Sequence, residues 1–220
     1  MSETTRDRLL ALDSCMVSDA LDSLGLAGAV AGILPIWEGS RLAGRAITMR
    51  TVPADGRTST RHLGAQALDR ALPGEVICVE QQTEGRPASA SWGGLLARAA
   101  TLRELGGVLI DGACRDVDEI RELGLPVSAR AVVPFTARGR FVEDTVGEPI
   151  RVGGLAVRTG DFVLADGTGA VVVPSDRVDE VLSVAESLAD KEAAMVRGLE
   201  NGDSLAVVFG RNYEEMLHGR

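Results

Sequence analysis

A chain of 220 residues, 45 % hydrophobic and 25 % charged, suits one domain or one fused pair of lobes with its own buried core. Its 32 acidic and 23 basic residues leave a formal charge of −9, which lacks the basic footprint a nucleic-acid-binding protein needs. Aromatics make up 3 % and glycines number 26, so the core must be Leu, Val, Ala and Ile between many tight turns.

Residues 5–24 show apolar positions at spacings of three and four, from Leu9 through Leu24, and predict one amphipathic helix stopped by Gly25. GILPIWEGS holds a short apolar run broken by Pro35. Residues 42–52 read as a strand, 53–60 as a polar loop, and 59–71 as a helix. Pro73-Gly74 turns the chain into the strand VICVE, followed by a loop ending in Gly93-Gly94. Residues 95–105 predict a helix, VLID (108–111) a buried strand, GACRD a loop, VDEIRELG a short helix and VSARAVV another strand. This alternation implies βαβ units with parallel pairing. The second half reads as short strands, RVGGLAV, DFVLAD and AVVVP, as in a small antiparallel barrel or flap. A long helix follows from Ser175 to about Leu199, with Asp176 and Asp179 in its first turns and Asn201-Gly202 ending it.

Cys15, Cys78 and Cys114 are widely spaced and form neither a disulfide framework nor a CxxC knuckle; they read as buried thiols in a reducing compartment. The opening MSETTRDRLLALDS lacks the apolar run of a signal peptide, and no 18-residue apolar stretch exists, so the expectation is a cytoplasmic protein with no membrane partner.

Dinucleotide, P-loop and zincin motifs are missing, and the two histidines, His62 and His218, lie far apart. Chemistry must then come from carboxylates, arginines, backbone amides or a hard metal ion. In VLIDGACRDVDEI a strand runs into a loop bearing Arg115, Asp116, Asp118 and Glu119. Arg115 can grip a carboxylate with two parallel hydrogen bonds. Asp116 can bind Mg²⁺ or Mn²⁺, or instead cap the following helix. Gly93-Gly94 allow close ligand approach and expose the amides of Leu95 and Leu96 at a helix start, or form an ordinary loop-to-helix junction. Asp111, Asp166 and the turn at 167–169 read as structural, Arg138 and Arg140 as solvated loop charges, and Lys191 and Glu192 as solvated helix surface.

SDALDSLG, WGGLLARAA, GGVLIDGACRDVDEI, RTGDFVLADGTGAVVVP and KEAAMVRGLENG, in that order, resemble the RraA-like proteins, which include class II 4-hydroxy-4-methyl-2-oxoglutarate/4-carboxy-4-hydroxy-2-oxoadipate aldolases. The likeness runs from about residue 10 to residue 200. Gly94, Arg115, Asp116 and Glu119 fit the aldolase signature of a glycine, twenty residues, Arg-Asp, two residues and an acid. The resemblance implies a single RraA-like domain over residues 1–220, with a swivelling β/β/α fold: a mixed sheet, a small β-barrel-like region and a long C-terminal helix. It also implies a homotrimer or homohexamer with sites between subunits. Asp116 would hold Mg²⁺ or Mn²⁺ in a water-rich shell, and Arg115 the 2-keto acid. Gly94 and the amides of Leu95 and Leu96 would receive its carboxylate, and Glu192 would come from a neighbouring subunit.

The activity so implied is metal-dependent retro-aldol cleavage of a 4-hydroxy-2-keto diacid to pyruvate, with oxaloacetate decarboxylation through the same enolate. Loop 53–60 and segment 134–150 are expected to wall the pocket. Many relatives carry Asp or Glu where this chain has Gly94, a departure that removes an acid able to orient metal-bound water. Two alternatives are a regulator that binds an RNA-degrading enzyme, as repressor-like relatives do, and a lyase or decarboxylase for another 2-keto acid.

Overall fold

The computed structural model describes residues 4–58, 61–83, 85 and 89–210. The expected first helix is two, α1 (Thr5–Ala11) and α2 (Ser14–Ser23). The break lies at Leu12, whose backbone is extended, and Asp13, whose carboxylate caps α2 by accepting the Met16 N–H at 2.8 Å. Apolar periodicity runs through the break because both helices turn one face to the same cluster.

Strands β1 (Ala29–Val30), β2 (Leu34–Pro35) and the long β3 (Leu42–Pro53) precede α3 (Ala65–Arg70). Helix α3 is shorter than expected; residues 59 and 60 lie outside the described residues. Then come β4 (Val76–Gln81), α4 (Gly94–Leu102), β5 (Gly107–Cys114), α5 (Val117–Leu123) and β6 (Val127–Val132). The second half holds β7 (Phe141–Val146), β8 (Ile150–Val152), β9 (Leu155–Val157), β10 (Phe162–Ala165) and β11 (Ala170–Val173). Helices α6 (Val178–Glu200) and α7 (Leu205–Val208) complete the described chain, with Asp176 lying ahead of α6 rather than in its first turn.

The sheet order is β1-β11-β10-β3-β4-β5-β6-β2, with β7 also paired to β3. Strands β3, β4, β5 and β6 are mutually parallel, as the βαβ alternation requires, whereas β10 and β7 run antiparallel to β3. Strand β8 pairs with β9 in a hairpin. Among the described residues, three large apolar clusters and one small one fill the spaces around the sheet. Ile77, Val79, Val108 and Ile110 of the parallel strands pack against Leu96, Ala97, Ala100 and Ile120 of α4 and α5. Leu9, Val17, Leu21, Leu164 and Val171 pack against Val181, Leu182 and Ala185 of α6. Val30, Ile33, Cys78, Leu109, Ile150 and Val172 make the third. Arg8 fixes α1 to α6 by gripping both oxygens of Glu186, at 2.6 and 2.9 Å.

Strand β5 is longer than VLID: Gly112, Ala113 and Cys114, expected in a loop, continue the strand past a register shift between Ile110 and Ala113. Gln81 supplies the missing pairing. Its buried carboxamide accepts the Ala113 N–H at 2.9 Å and donates to the Ser89 carbonyl at 2.8 Å. Gly112 is a glycine because a Cβ there would strike the Gln81 side chain. No helix among the described residues is long and apolar enough to cross a membrane.

Candidate functional site

The site lies beyond the carboxyl end of β5, where open α/β sheets place ligands. Two backbone bonds lay the Ser91–Gly93 segment along that end: Ser91 N–H donates to the Ala113 carbonyl at 2.8 Å, and Arg115 N–H to the Trp92 carbonyl at 3.1 Å. The signature residues, with twenty residues between Gly94 and Arg115, therefore meet. Gly94 N–H donates to Asp116 Oδ2 at 2.9 Å, and the Arg115 Nε lies 3.3 Å from the same oxygen.

Asp116 occupies the residue before α5, but its side chain makes no cap bond to that helix. The capping alternative is thereby set aside: the carboxylate turns to α4. Its backbone is left-handed, φ 60° and ψ 41°, a conformation that costs a non-glycine residue roughly 1 kcal/mol or more and that aspartate tolerates better than most. The negative charge sits at the first turn of α4, where unpaired N–H groups and the helix dipole favour it. Gly94 N–H is already occupied by Asp116, so the Leu95 and Leu96 N–H groups, which have no acceptor within the helix, remain for a ligand.

Gly93 is extended, and its requirement is spatial: a Cβ would lie 2.7 Å from Asp116 Oδ2 and 3.2 Å from Arg115 Nε. At Gly94 a Cβ would run into the Glu119 carboxylate, which Arg98 Nη2 holds at 3.0 Å. The volume that an acidic side chain would enter at position 94 thus already contains a carboxylate, contributed from α5.

These groups open on a cavity of about 600 Å³. Its walls include Arg57 and Thr58 from one loop, Arg61 and His62 ahead of α3, Thr136 and Arg138 from the segment before β7, and Phe141 at the start of β7, so both expected wall segments line it. Arg138, read as a solvated loop charge, borders the cavity, whereas Arg140 stacks over Phe135 at 5.8 Å and donates to the Thr136 carbonyl. Trp92 forms part of the wall, and its buried indole N–H has no partner among the described residues. Burial raises the Glu143 pKa against the opposing effects of the Gly64 N–H, Arg61 and Arg70, so part of the Arg61 field acts on that carboxylate.

Other candidates lie elsewhere. Glu192 lies on the exposed face of α6 and lines a separate groove with Leu12, Asp13 and Val196, so it does not meet Asp116 within one chain. Lys191, the single lysine of the sequence, is likewise exposed on α6. His218 lies outside the described residues. Asp111 and Asp166 are structural: Asp111 pairs with Arg130 and accepts the Gly153 N–H, and Asp166 accepts from the Ser14 amide and hydroxyl and from Thr168 N–H. Cys78 and Cys114 are buried thiols whose pKa values burial pushes up to about 12, but Cys15 is exposed, contrary to expectation.

Among the described residues no three His, Cys, Asp or Glu side chains converge on one point. A magnesium-like ion held by one or two carboxylates and completed by water is compatible with that arrangement. Asp116 fits that demand: it is half-exposed on the cavity wall, and its Oδ1 has no hydrogen-bond partner among the described residues.

Residues 14–172 match the RraA-like family (Aldolase/RraA), and the chain belongs to it. Protein DlpA of Legionella pneumophila is 27 % identical over 198 residues, covering 90 % of this chain, which spans 32 % of that longer protein. The 4-hydroxy-4-methyl-2-oxoglutarate aldolase of Thermus thermophilus is 32 % identical over 135 residues, 61 % of this chain and 77 % of that one. The structure of Streptomyces coelicolor RraAS2, described as an unusual member of the RNase ES inhibitor RraA family, aligns with a TM-score of 0.76 at 25 % identity, over 88 % of this chain and 96 % of that one. The α/β fold, with its mixed sheet and long C-terminal helix, is the RraA-like swivelling fold.

Proposed function

We propose that this RraA-like protein is a divalent-metal-dependent lyase that cleaves 4-hydroxy-4-methyl-2-oxoglutarate or a related 4-hydroxy-2-keto diacid to pyruvate, and that also decarboxylates oxaloacetate. The observation that carries this reading is the meeting of Arg115, Asp116 and the N-terminus of α4 on one cavity wall. Such a wall offers what an enolate-forming reaction needs: positive potential fixed in advance where charge develops.

Asp116 would hold Mg²⁺ or Mn²⁺, which supplies Lewis-acid polarisation of the keto oxygen. Arg115 grips the C1 carboxylate beside the keto group, and the Leu95 and Leu96 N–H groups donate to its second edge. With the substrate fixed, a water takes the proton from the 4-hydroxyl. The C3–C4 bond breaks as a new C4 carbonyl forms, and its electron pair moves to the keto oxygen. A water then returns a proton to C3, releasing pyruvate. Glu192 of a neighbouring copy orients the first water in a homotrimer or homohexamer. A Schiff-base route would need a lysine on this wall, and within one chain the single lysine, Lys191, lies on exposed α6 and not on it.

Pyruvate release from 4-hydroxy-4-methyl-2-oxoglutarate and from oxaloacetate, measured with Mg²⁺ or Mn²⁺ and after EDTA, tests the reading. Metal-dependent release from both supports it. Asp116→Asn should keep its melting temperature and lose both Mn²⁺ binding and turnover; normal turnover in that variant would overturn the assignment. The likeness to RraAS2 favours one other reading, a non-catalytic regulator of an RNA-degrading enzyme. It predicts tight partner binding and no keto-acid cleavage at any metal concentration.

A further inference from the structure

The cavity wall is more basic than the proposed head-group chemistry requires. Among the described residues, four arginines, Arg57, Arg61, Arg115 and Arg138, line it against one carboxylate, Asp116, in a chain of net charge −9. Two of the four are accounted for. Arg115 is beside Asp116, and Arg61 acts on Glu143.

Arg57 and Arg138 remain, on two different loops that wall the same space. Arg57 is oriented by its own loop: its Nε donates to the Ala54 carbonyl at 3.2 Å and its Nη2 to the Pro53 carbonyl at 2.7 Å. These two bonds fix the plane of the guanidinium and leave Nη1 without a protein acceptor among the described residues. Arg138 has no side-chain hydrogen bond or ion pair among the described residues, although its backbone N–H is held by the Thr136 hydroxyl at 3.3 Å. Both guanidinium groups are exposed and have no acidic partner among the described residues, so together they favour an anion in the 600 Å³ cavity between their loops.

We propose that Arg57 and Arg138 form a distal oxyanion clamp that selects 2-keto acids carrying a second anionic terminus, a carboxylate or a phosphoryl group, at the end away from the keto-carboxylate. This rests on the keto-acid reading of Arg115 and Asp116, and makes the two loops the determinant of substrate length. Arginine suits the task because its planar fork matches carboxylate and phosphate oxygens alike.

The test is calorimetric titration of the whole protein, with Mg²⁺ at constant ionic strength, by three probes that share the keto-acid head. These are 2-oxobutyrate, which has no distal charge; 2-oxoglutarate, which adds a carboxylate; and 2-oxo-4-phosphonobutanoate, which adds a phosphonate. The expected preference of the wild-type protein for the better doubly anionic probe over 2-oxobutyrate is about tenfold or more. Arg138→Gln should cut that ratio to roughly a third, and Arg57→Gln/Arg138→Gln should bring it near one, while 2-oxobutyrate affinity stays within about twofold. Tighter binding of the phosphonate than of 2-oxoglutarate assigns a phosphorylated substrate, and the reverse order a diacid. The clamp is overturned if the wild type does not discriminate, or if the double variant keeps the wild-type ratio. Loss of 2-oxobutyrate binding in Arg115→Gln reports on the head-group reading separately, so the two can fail independently.

Discussion

Gly94 and the Glu119 carboxylate share one volume: a Cβ on the first would overlap the second. Glu119 is held there by Arg98 Nη2 at 3.0 Å, which ties α5 to α4 directly behind the Gly94–Asp116 hydrogen bond. Gly94→Ala should therefore push Glu119 off Arg98 and tilt the start of α4 away from Asp116. With Asp116 as the proposed metal ligand, the expected loss is on the order of tenfold in kcat/KM. Glu119→Ala in the Gly94→Ala background frees the space, and steady-state kinetics on oxaloacetate should show part of that loss recovered. A double variant worse than either single one would contradict a shared volume.

Gln81 holds the Ser89 carbonyl with one end of its carboxamide and the Ala113 N–H with the other. Gln81→Leu leaves both buried groups unpaired, which costs about 2 kcal/mol or more in urea-unfolding stability. Gln81→Glu should also destabilise, because a carboxylate accepts from Ala113 and repels the Ser89 carbonyl. Both variants should raise KM more than they lower kcat, since the segment they loosen leads into the α4 amides proposed to bind the keto acid. Equal stability of either variant and wild type would show the bridge to be dispensable.

Asp166 gives the fold an acid-sensitive tie. Burial raises its pKa, but the Ser14 hydroxyl and amide, the Thr168 N–H and Arg41 outweigh that and hold the folded value below the ordinary 3.8. As pH falls, the unfolded chain takes up this proton first, so the stabilisation is complete above the ordinary value and disappears as pH falls through the folded one. Asp166→Asn should cost about 2 kcal/mol at neutral pH, with the gap to wild type closing below about pH 4. Thermal melts across pH check this; a gap that stays constant would locate the stabilisation elsewhere.

Glu192 lies in a different groove from Asp116, so its proposed service must cross between copies. Asp116→Asn and Glu192→Ala subunits, each inactive alone, should recover activity when unfolded together and refolded as mixed oligomers. For a trimer with one residue from each neighbour, recovery should approach about a quarter of wild type at equal input if sites assort at random. No recovery in demonstrably mixed oligomers would remove Glu192 from the site.

Much of this frame was legible because local patterns and tertiary packing agree. The run Val108–Ile110 is apolar without interruption, as a strand covered on both faces must be, and the loop after it carries the Arg115-Asp116 pair. The helix break at Asp13 was hidden because Leu9, Val17 and Leu21 face the same cluster on either side of it. Gln81 gave no signal: a glutamine ending a strand looks solvated until the register shift in β5 shows what it pairs with. The left-handed backbone at Asp116 is equally silent, because aspartate enters ordinary turns as readily. Arg138 could not be told from a surface charge, since its place on the cavity depends on how two distant loops approach each other.

Strand β3 pairs with β10 through residues 42–45, with β4 through 46–51 and with β7 through 49–53. Deleting one residue near Arg45 would invert the facing of every side chain on one side of the cut, so neither half of the sheet can change length here without the other losing its core. Evolutionary drift in chain length is thereby confined to connections, and two of these, around Arg57 and Arg138, wall the cavity. The cavity walls can then change by insertion and deletion while the frame that presents Asp116 stays in register.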